Sequence, residues 1–125
     1  MDAPIGSWWH VEHETIGEAV VLHVHGEIDL ATAPKLAQHL ASLPGDAPVV
    51  VDFTHVEYLD LTGVRALEDF HAQSIAADRP VIVVGPLPQV RRILDLVGLG
   101  RRLRIVDTVA MALEALHIPP PNDSD

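Results

Sequence analysis

Cysteine is absent from all 125 residues. That excludes disulfides, thiolate metal sites and cysteine nucleophiles together, and it fits a reducing compartment. Aromatic residues make up only 4%, so Val, Leu, Ile and Ala must fill any core. Bases are scarce: eight Lys and Arg stand against eighteen Asp and Glu, for a formal net charge of -10. That balance argues against general nucleic-acid binding, which needs lysines and arginines on phosphates. No apolar run approaches the roughly 18 residues of a membrane helix, so no membrane insertion is expected. Residues 1–7 carry neither the basic nor the apolar region of a signal peptide, and the expectation is a soluble cytoplasmic protein. The sequence holds no G-x-G-x-x-G, P-loop, G-x-S-x-G or H-E-x-x-H pattern. We therefore expect no enzyme and no cofactor.

What is present suits one folded domain. A hydrophobic content of 48% is too high for a disordered chain, and the length supports one real core. The charge is uneven. Residues 1–64 hold one base, Lys35, against ten acids, and residues 65–104 hold seven arginines against four acids. Solubility accounts for an acidic surface; the sharper account is a basic partner docking on the acidic N-terminal half.

The hydrophobic pattern alternates strands with helices. Residues 8–14 suit an edge strand, Gly17-Glu18 a turn, and residues 19–25 a second strand in a hairpin with the first. Gly26 to Ala31 is expected to leave the sheet. Thr32 is expected to cap a helix with Pro34 in its first turn and Leu36, Leu40 and Leu43 on one face. Pro44-Gly45-Asp46 stops it. Residues 49–53 are apolar except for Asp52, as in a central strand covered on both faces. A helix from Thr62 to about Ala77 follows, with Val64, Leu67 and Phe70 inward. Residues 81–84 form the next strand. The turn at residues 85–88 leads to a third helix ended by Gly98 and Gly100. A short strand at residues 103–106 and a helix capped by Asp107 or Thr108 complete the order β-β-α-β-α-β-α-β-α. That order predicts an α/β fold with a mixed sheet of about five strands and four helices. No repeat or linker divides the chain. The domain is expected over residues 8–117, with an N-terminal extension at 1–7 and a disordered, Pro-rich acidic tail at 118–125.

The turn Asp60-Leu61-Thr62-Gly63 between strand and helix is the most informative stretch. It places a hydroxyl at a helix N-terminus, where unpaired N–H groups and the helix dipole favour an anion. A phosphate there adds up to about two negative charges. The plainer reading makes Thr62 a cap, Asp60 an Asx-turn residue and Gly63 a site of close backbone approach. Of eight histidines, His23 and His25 share one strand face while His10 and His13 fall on opposite faces. Spacing fixes no third ligand, so no metal site is expected. Arg91, Arg92, Arg101, Arg102 and Arg104 read as solvated faces that balance the acids.

Residues 26–33 (Gly26-Glu27-Ile28-Asp29-Leu30-Ala31-Thr32-Ala33) resemble the G-E-[LI]-D-x-x-[TS]-A signature of STAS domains, the anti-sigma factor antagonist family. Residues 51–60 resemble its central strand and following turn, and Leu96-Val97-Gly98-Leu99 its ending. The resemblance covers about residues 8–117. It implies a protein that binds an anti-sigma factor which is also a kinase of the histidine-kinase-like ATPase type. Phosphorylation at the turn's second hydroxyl ends the binding, and a phosphatase can reset it. In the antagonists that turn reads D-S-[ST]-G. Asp60 then matches the Asp, Thr62 the phosphorylated position and Gly63 the Gly, while Leu61 stands where Ser is common. The implied contact residues are Asp29, Thr32, Asp60, Leu61, Thr62, Gly63 and Arg65. The edge strand with Trp8 and Trp9 either pairs with another chain, as in a homodimer, or covers the core's end. One alternative, from the same resemblance, is a subunit docking on the ATPase of a lipid-transporting ABC complex. Another, a nucleotide- or small-ligand sensor, has no phosphate cradle beyond the helix N-terminus.

Overall fold

A computed structural model describes residues 8–119. The elements run β1 (Trp9–Ile16), β2 (Ala19–Ile28), α1 (Ala33–Ala41), β3 (Val49–Leu59) and α2 (Leu61–Ala76). They continue with β4 (Val81–Val84), α3 (Pro88–Leu96), α4 (Leu99–Arg102), β5 (Arg104–Val106) and α5 (Val109–Ala115). The five strands form one sheet in sequence order. β1 pairs antiparallel with β2, and β2 through β5 run parallel. The expected mixed α/β sheet is therefore present, with a fifth helix the sequence did not suggest.

Side-chain alternation sorts the sheet into two faces. Val20, Leu22, Val24, Val49, Val51, Phe53 and Val83 point to the face covered by α1, α2 and α3, where Leu36, Leu67, Phe70 and Leu94 close the main core. Val21, Val50, Ile82 and Val84 point to the other face, where Ala112 and Leu113 of α5 make a smaller cluster. Burial on both faces explains why β3 reads as an almost unbroken apolar run. The β1–β2 hairpin closes on Gly17, whose φ of 59° suits a two-residue turn.

Three local expectations need correction. β2 does not leave the sheet at Gly26 but runs on to Ile28. Gly26 takes φ 100°, beside a register shift against β3, while the Glu27 N–H donates to the Trp8 carbonyl at 3.0 Å. It is a bulge under Trp8, where a Cβ would lie 2.6 Å from the indole. Next, Thr32 occupies the N-cap position of α1 but makes no side-chain cap; its hydroxyl donates to the Glu27 carbonyl at 2.6 Å. Finally, Gly98 does end α3, at φ 82°, but Gly100 lies inside α4, a single turn anchored by the fully buried Leu99.

At the C-terminus the packed unit reaches beyond the expected boundary at 117. Ile118 is buried in the smaller cluster, and its N–H donates to the Leu113 carbonyl at 2.9 Å. The expected extension at 1–7, and the tail from residue 120, lie outside the described residues. No helix among the described residues is long and apolar enough to cross a membrane.

Candidate partner-binding site

The candidate site lies where β2 and β3 end side by side. Ile28 pairs with Leu59, and the Asp60 N–H donates to the Ile28 carbonyl at 3.1 Å. One hydrogen bond thus fixes the β2–α1 loop against the β3–α2 turn, two segments about thirty positions apart in sequence.

Each loop is built around an aspartate. In the first, Asp29 Oδ1 accepts from the N–H groups of Ala31 at 3.0 Å and Thr32 at 3.2 Å. The Asp29 N–H donates to the Thr32 hydroxyl at 2.9 Å. In the second, Asp60 is the N-cap of α2 in an extended conformation, and its Oδ1 accepts from the N–H groups of Thr62 at 2.9 Å and Gly63 at 3.2 Å. The Thr62 hydroxyl donates to the same oxygen. The sequence reading left these N–H groups unpaired and made Thr62 a possible cap. In the structure the Asp60 carboxylate already occupies them, and Thr62 is the second residue of the helix.

The α2 start is also held from below. Gly63 is buried, and a Cβ there would lie 2.7 Å from Ile28 Cγ2 and closer still to Leu59 Cδ1. Only glycine lets the helix sit this low on both strand ends. Gly63 and Thr32, which is 2% exposed, were expected among contact residues. Both are buried and shape the two loops. Asp29, Asp60 and Thr62 are half-buried, and Leu61 and Arg65 are exposed.

Around this end, apolar side chains face solvent. Leu30 is 75% exposed, Leu61 68% and Tyr58 51%. Leu61 stands between two grooves of about 410 Å³ each. One is lined by Leu30, Pro34, Thr62 and Arg65, the other by Tyr58, Asp60, Gln89 and Ile93. Gln89 and Ile93 of α3 were not foreseen, because nothing in the sequence sets α3 beside the end of β3. The signal available was the amphipathic turn pattern of α3, which leaves Ile93 only half covered.

Several histidines lie elsewhere: His23 lines the groove beside α5, while His13 meets His39 of α1 at 3.0 Å and His71 sits on α2. His23 Nδ1 meets Asp52 Oδ2 at 2.7 Å and its Nε2 meets Glu14 Oε1 at 2.9 Å. Burial pushes the His23 pKa down, but the hydrogen bonds and charges of Glu14 and Asp52 together hold it above the ordinary value. Burial likewise pushes Asp52 up, and the Thr54 hydroxyl and N–H together with His23 hold it below the usual carboxylate range. His25 stacks on His55 with ring centres 4.8 Å apart. Among the described residues no group of three or more His, Cys, Asp or Glu is placed to hold a metal ion.

The STAS domain family profile matches residues 10–112. Over 99 residues the chain is 33% identical to the anti-sigma-F factor antagonist RsfB of Mycobacterium tuberculosis (strain H37Rv), covering 78% of this chain and 80% of that protein. An anti-sigma factor antagonist from Mycobacterium paratuberculosis superposes with a TM-score of 0.75 at 30% identity, over 94% of this chain and 99% of that one. The Bacillus cell fate determinant SpoIIAA, in its phosphorylated form, superposes with a TM-score of 0.67 at 20% identity, over 87% and 99% of the two chains; that likeness is one of fold alone. With its profile matched over most of the chain and a relative at 33% identity, this protein belongs to the STAS domain family.

Proposed function

We propose that this protein is an anti-sigma factor antagonist: it binds an anti-sigma factor through the surface around Leu61 and is released when Thr62 is phosphorylated. The partner in this reading is an anti-sigma factor of the histidine-kinase-like ATPase type, which acts as the kinase. A separate phosphatase restores the binding form. The antagonist works in the cytoplasm, catalyses nothing itself and affects transcription indirectly. The names of the two mycobacterial relatives support the role.

The observation that carries the switch is the hydroxyl of half-buried Thr62, at the edge of the groove lined by Leu30 and Arg65 and donating to the Asp60 carboxylate. An aspartate in that position can orient the hydroxyl and take its proton as a phosphoryl group arrives. The product is a dianion beside Asp60, competing with it for the N–H groups of Thr62 and Gly63. Under a packed partner such charge is unpaired, and about 2.7 kcal/mol of penalty is already a hundredfold in affinity. Calorimetry with the anti-sigma factor tests this. Thr62→Ala is expected to keep wild-type affinity and Thr62→Glu to lose much of it. Equal affinities for the two variants would remove the switch.

A further inference from the structure

A second cavity lies away from the Asp60 turn, on the sheet face opposite α1 and α2. It is a groove of about 890 Å³ between α5 and the β1–β2 hairpin. Its apolar wall comes from Val109 and Leu113 of α5 and from Ile118. Its carboxylates are Glu14 on β1 and Glu114 on α5, and its imidazoles are His23 on β2 and His117 just after α5. The size and the few convergent polar groups are those of a small-molecule site.

The sign of the lining selects the ligand. Glu14 and Asp52 flank His23 at 2.9 and 2.7 Å. A protonated His23 between them leaves that trio with one net negative charge, to which Glu114 adds another. Glu14 gives only one oxygen to His23, and a carboxylate offers about four lone-pair sites. Residues 120–125 add Asp123 and Asp125 and no base. Their charge matches the groove's own and does not complement it.

We propose that this groove binds a small cationic amphiphile, with an ammonium or amidinium head between Glu14 and Glu114 and an apolar body along Val109, Leu113 and Ile118. The site is separate from the partner-binding surface, so its test is independent of that reading. The probes are hexylammonium, hexanoate and hexanol, titrated into the full chain and followed by amide NMR shifts.

Hexylammonium is expected to give saturable shifts centred on Val109, Leu113 and Ile118, with hexanoate giving none and hexanol binding more weakly. The double variant Glu14→Gln, Glu114→Gln should weaken hexylammonium about fivefold and leave hexanol unchanged. Val109→Trp, which fills the groove, should abolish binding of both. Any of the following results would overturn the proposal. One is the absence of saturable shifts with hexylammonium at millimolar concentration. Another is hexanoate binding as well as hexylammonium, or indifference to the double variant. A last one is movement of the residue 122–125 signals in Val109→Trp without probe, which would make the chain's own tail the occupant.

Discussion

Replacing Asp60 by alanine or by asparagine separates the two roles its carboxylate can play. The carboxylate caps α2 by accepting the N–H groups of Thr62 and Gly63 and the Thr62 hydroxyl. Losing an aspartate cap to alanine costs about 0.5–2 kcal/mol, and the charge at the helix N-terminus adds about 0.3–1 kcal/mol. The site is half-buried and has three donors, so a loss of about 2 kcal/mol is expected for Asp60→Ala. Asparagine caps almost as well, so Asp60→Asn should lose about 0.5 kcal/mol, chiefly the charge. For a domain of this size about 4 °C of melting temperature accompanies each kcal/mol. Calorimetric melting should therefore place Asp60→Ala about 8 °C below wild type and Asp60→Asn about 2 °C below. Melting temperatures within about 1 °C of each other would refute the capping argument. If the cap is as described, Asp60→Asn becomes the useful variant. It keeps the fold and removes the charge beside Thr62, so any loss of phosphorylation rate in it belongs to the chemistry of the turn.

Other substitutions probe the same end of the molecule and the sheet behind it. Gly63→Ala forces a methyl into Leu59 and Ile28 and should cost about 1–3 kcal/mol, read from urea denaturation; an unchanged midpoint would mean α2 can lift without loss. Leu61→Ala removes a side chain that is 68% exposed, so stability should stay within about 0.5 kcal/mol. Its affinity for the anti-sigma factor should drop about tenfold or more, as for a central apolar anchor, and unaltered binding by calorimetry would take Leu61 out of the interface. The His23–Asp52 pair makes stability depend on pH. The raised His23 pKa gives stabilisation that is full below the ordinary histidine value of about 6.5 and is lost as pH rises through the raised value. The lowered Asp52 pKa gives stabilisation present above the ordinary carboxylate value of about 4 and lost as pH falls through the lowered one. The stability gap between wild type and Asp52→Asn should therefore be widest between about pH 4 and 6.5 and narrow on the alkaline side; a gap that is flat from about pH 5 to 9 would contradict the coupling.

Much of the architecture was legible because it is written in local periodicity. The apolar run at β3, the glycine turn after β1 and the inward stripe of α2 each follow from side chains a few positions apart. The errors lie where distant pairing overrides a local signal. Gly26 reads as a strand end, yet Trp8 and β3 hold it in the sheet as a bulge. Thr62 reads as the helix cap, yet the helix is capped two positions earlier, at Asp60. Thr32 has the right residue type for a cap, but the Glu27 carbonyl claims its hydroxyl. The contact surface shows the same division. The Asp60 turn could be found from its residues, whereas the grooves flanking Leu61 need α1 and α3, which only the fold sets beside it. The link from His23 to Asp52 spans 29 positions and leaves no trace in local pattern.

Whether Thr62 is a phosphorylated switch at an anti-sigma factor interface is decided by affinity purification of the tagged protein from its own host, with mass spectrometry of the partners and of the Thr62 peptide. A kinase-type anti-sigma factor is expected on the unphosphorylated protein, with phosphorylated Thr62 in the unbound fraction. Recovery of an ABC transporter ATPase instead, with Thr62 never phosphorylated, would contradict the switch and leave the turn a docking contact.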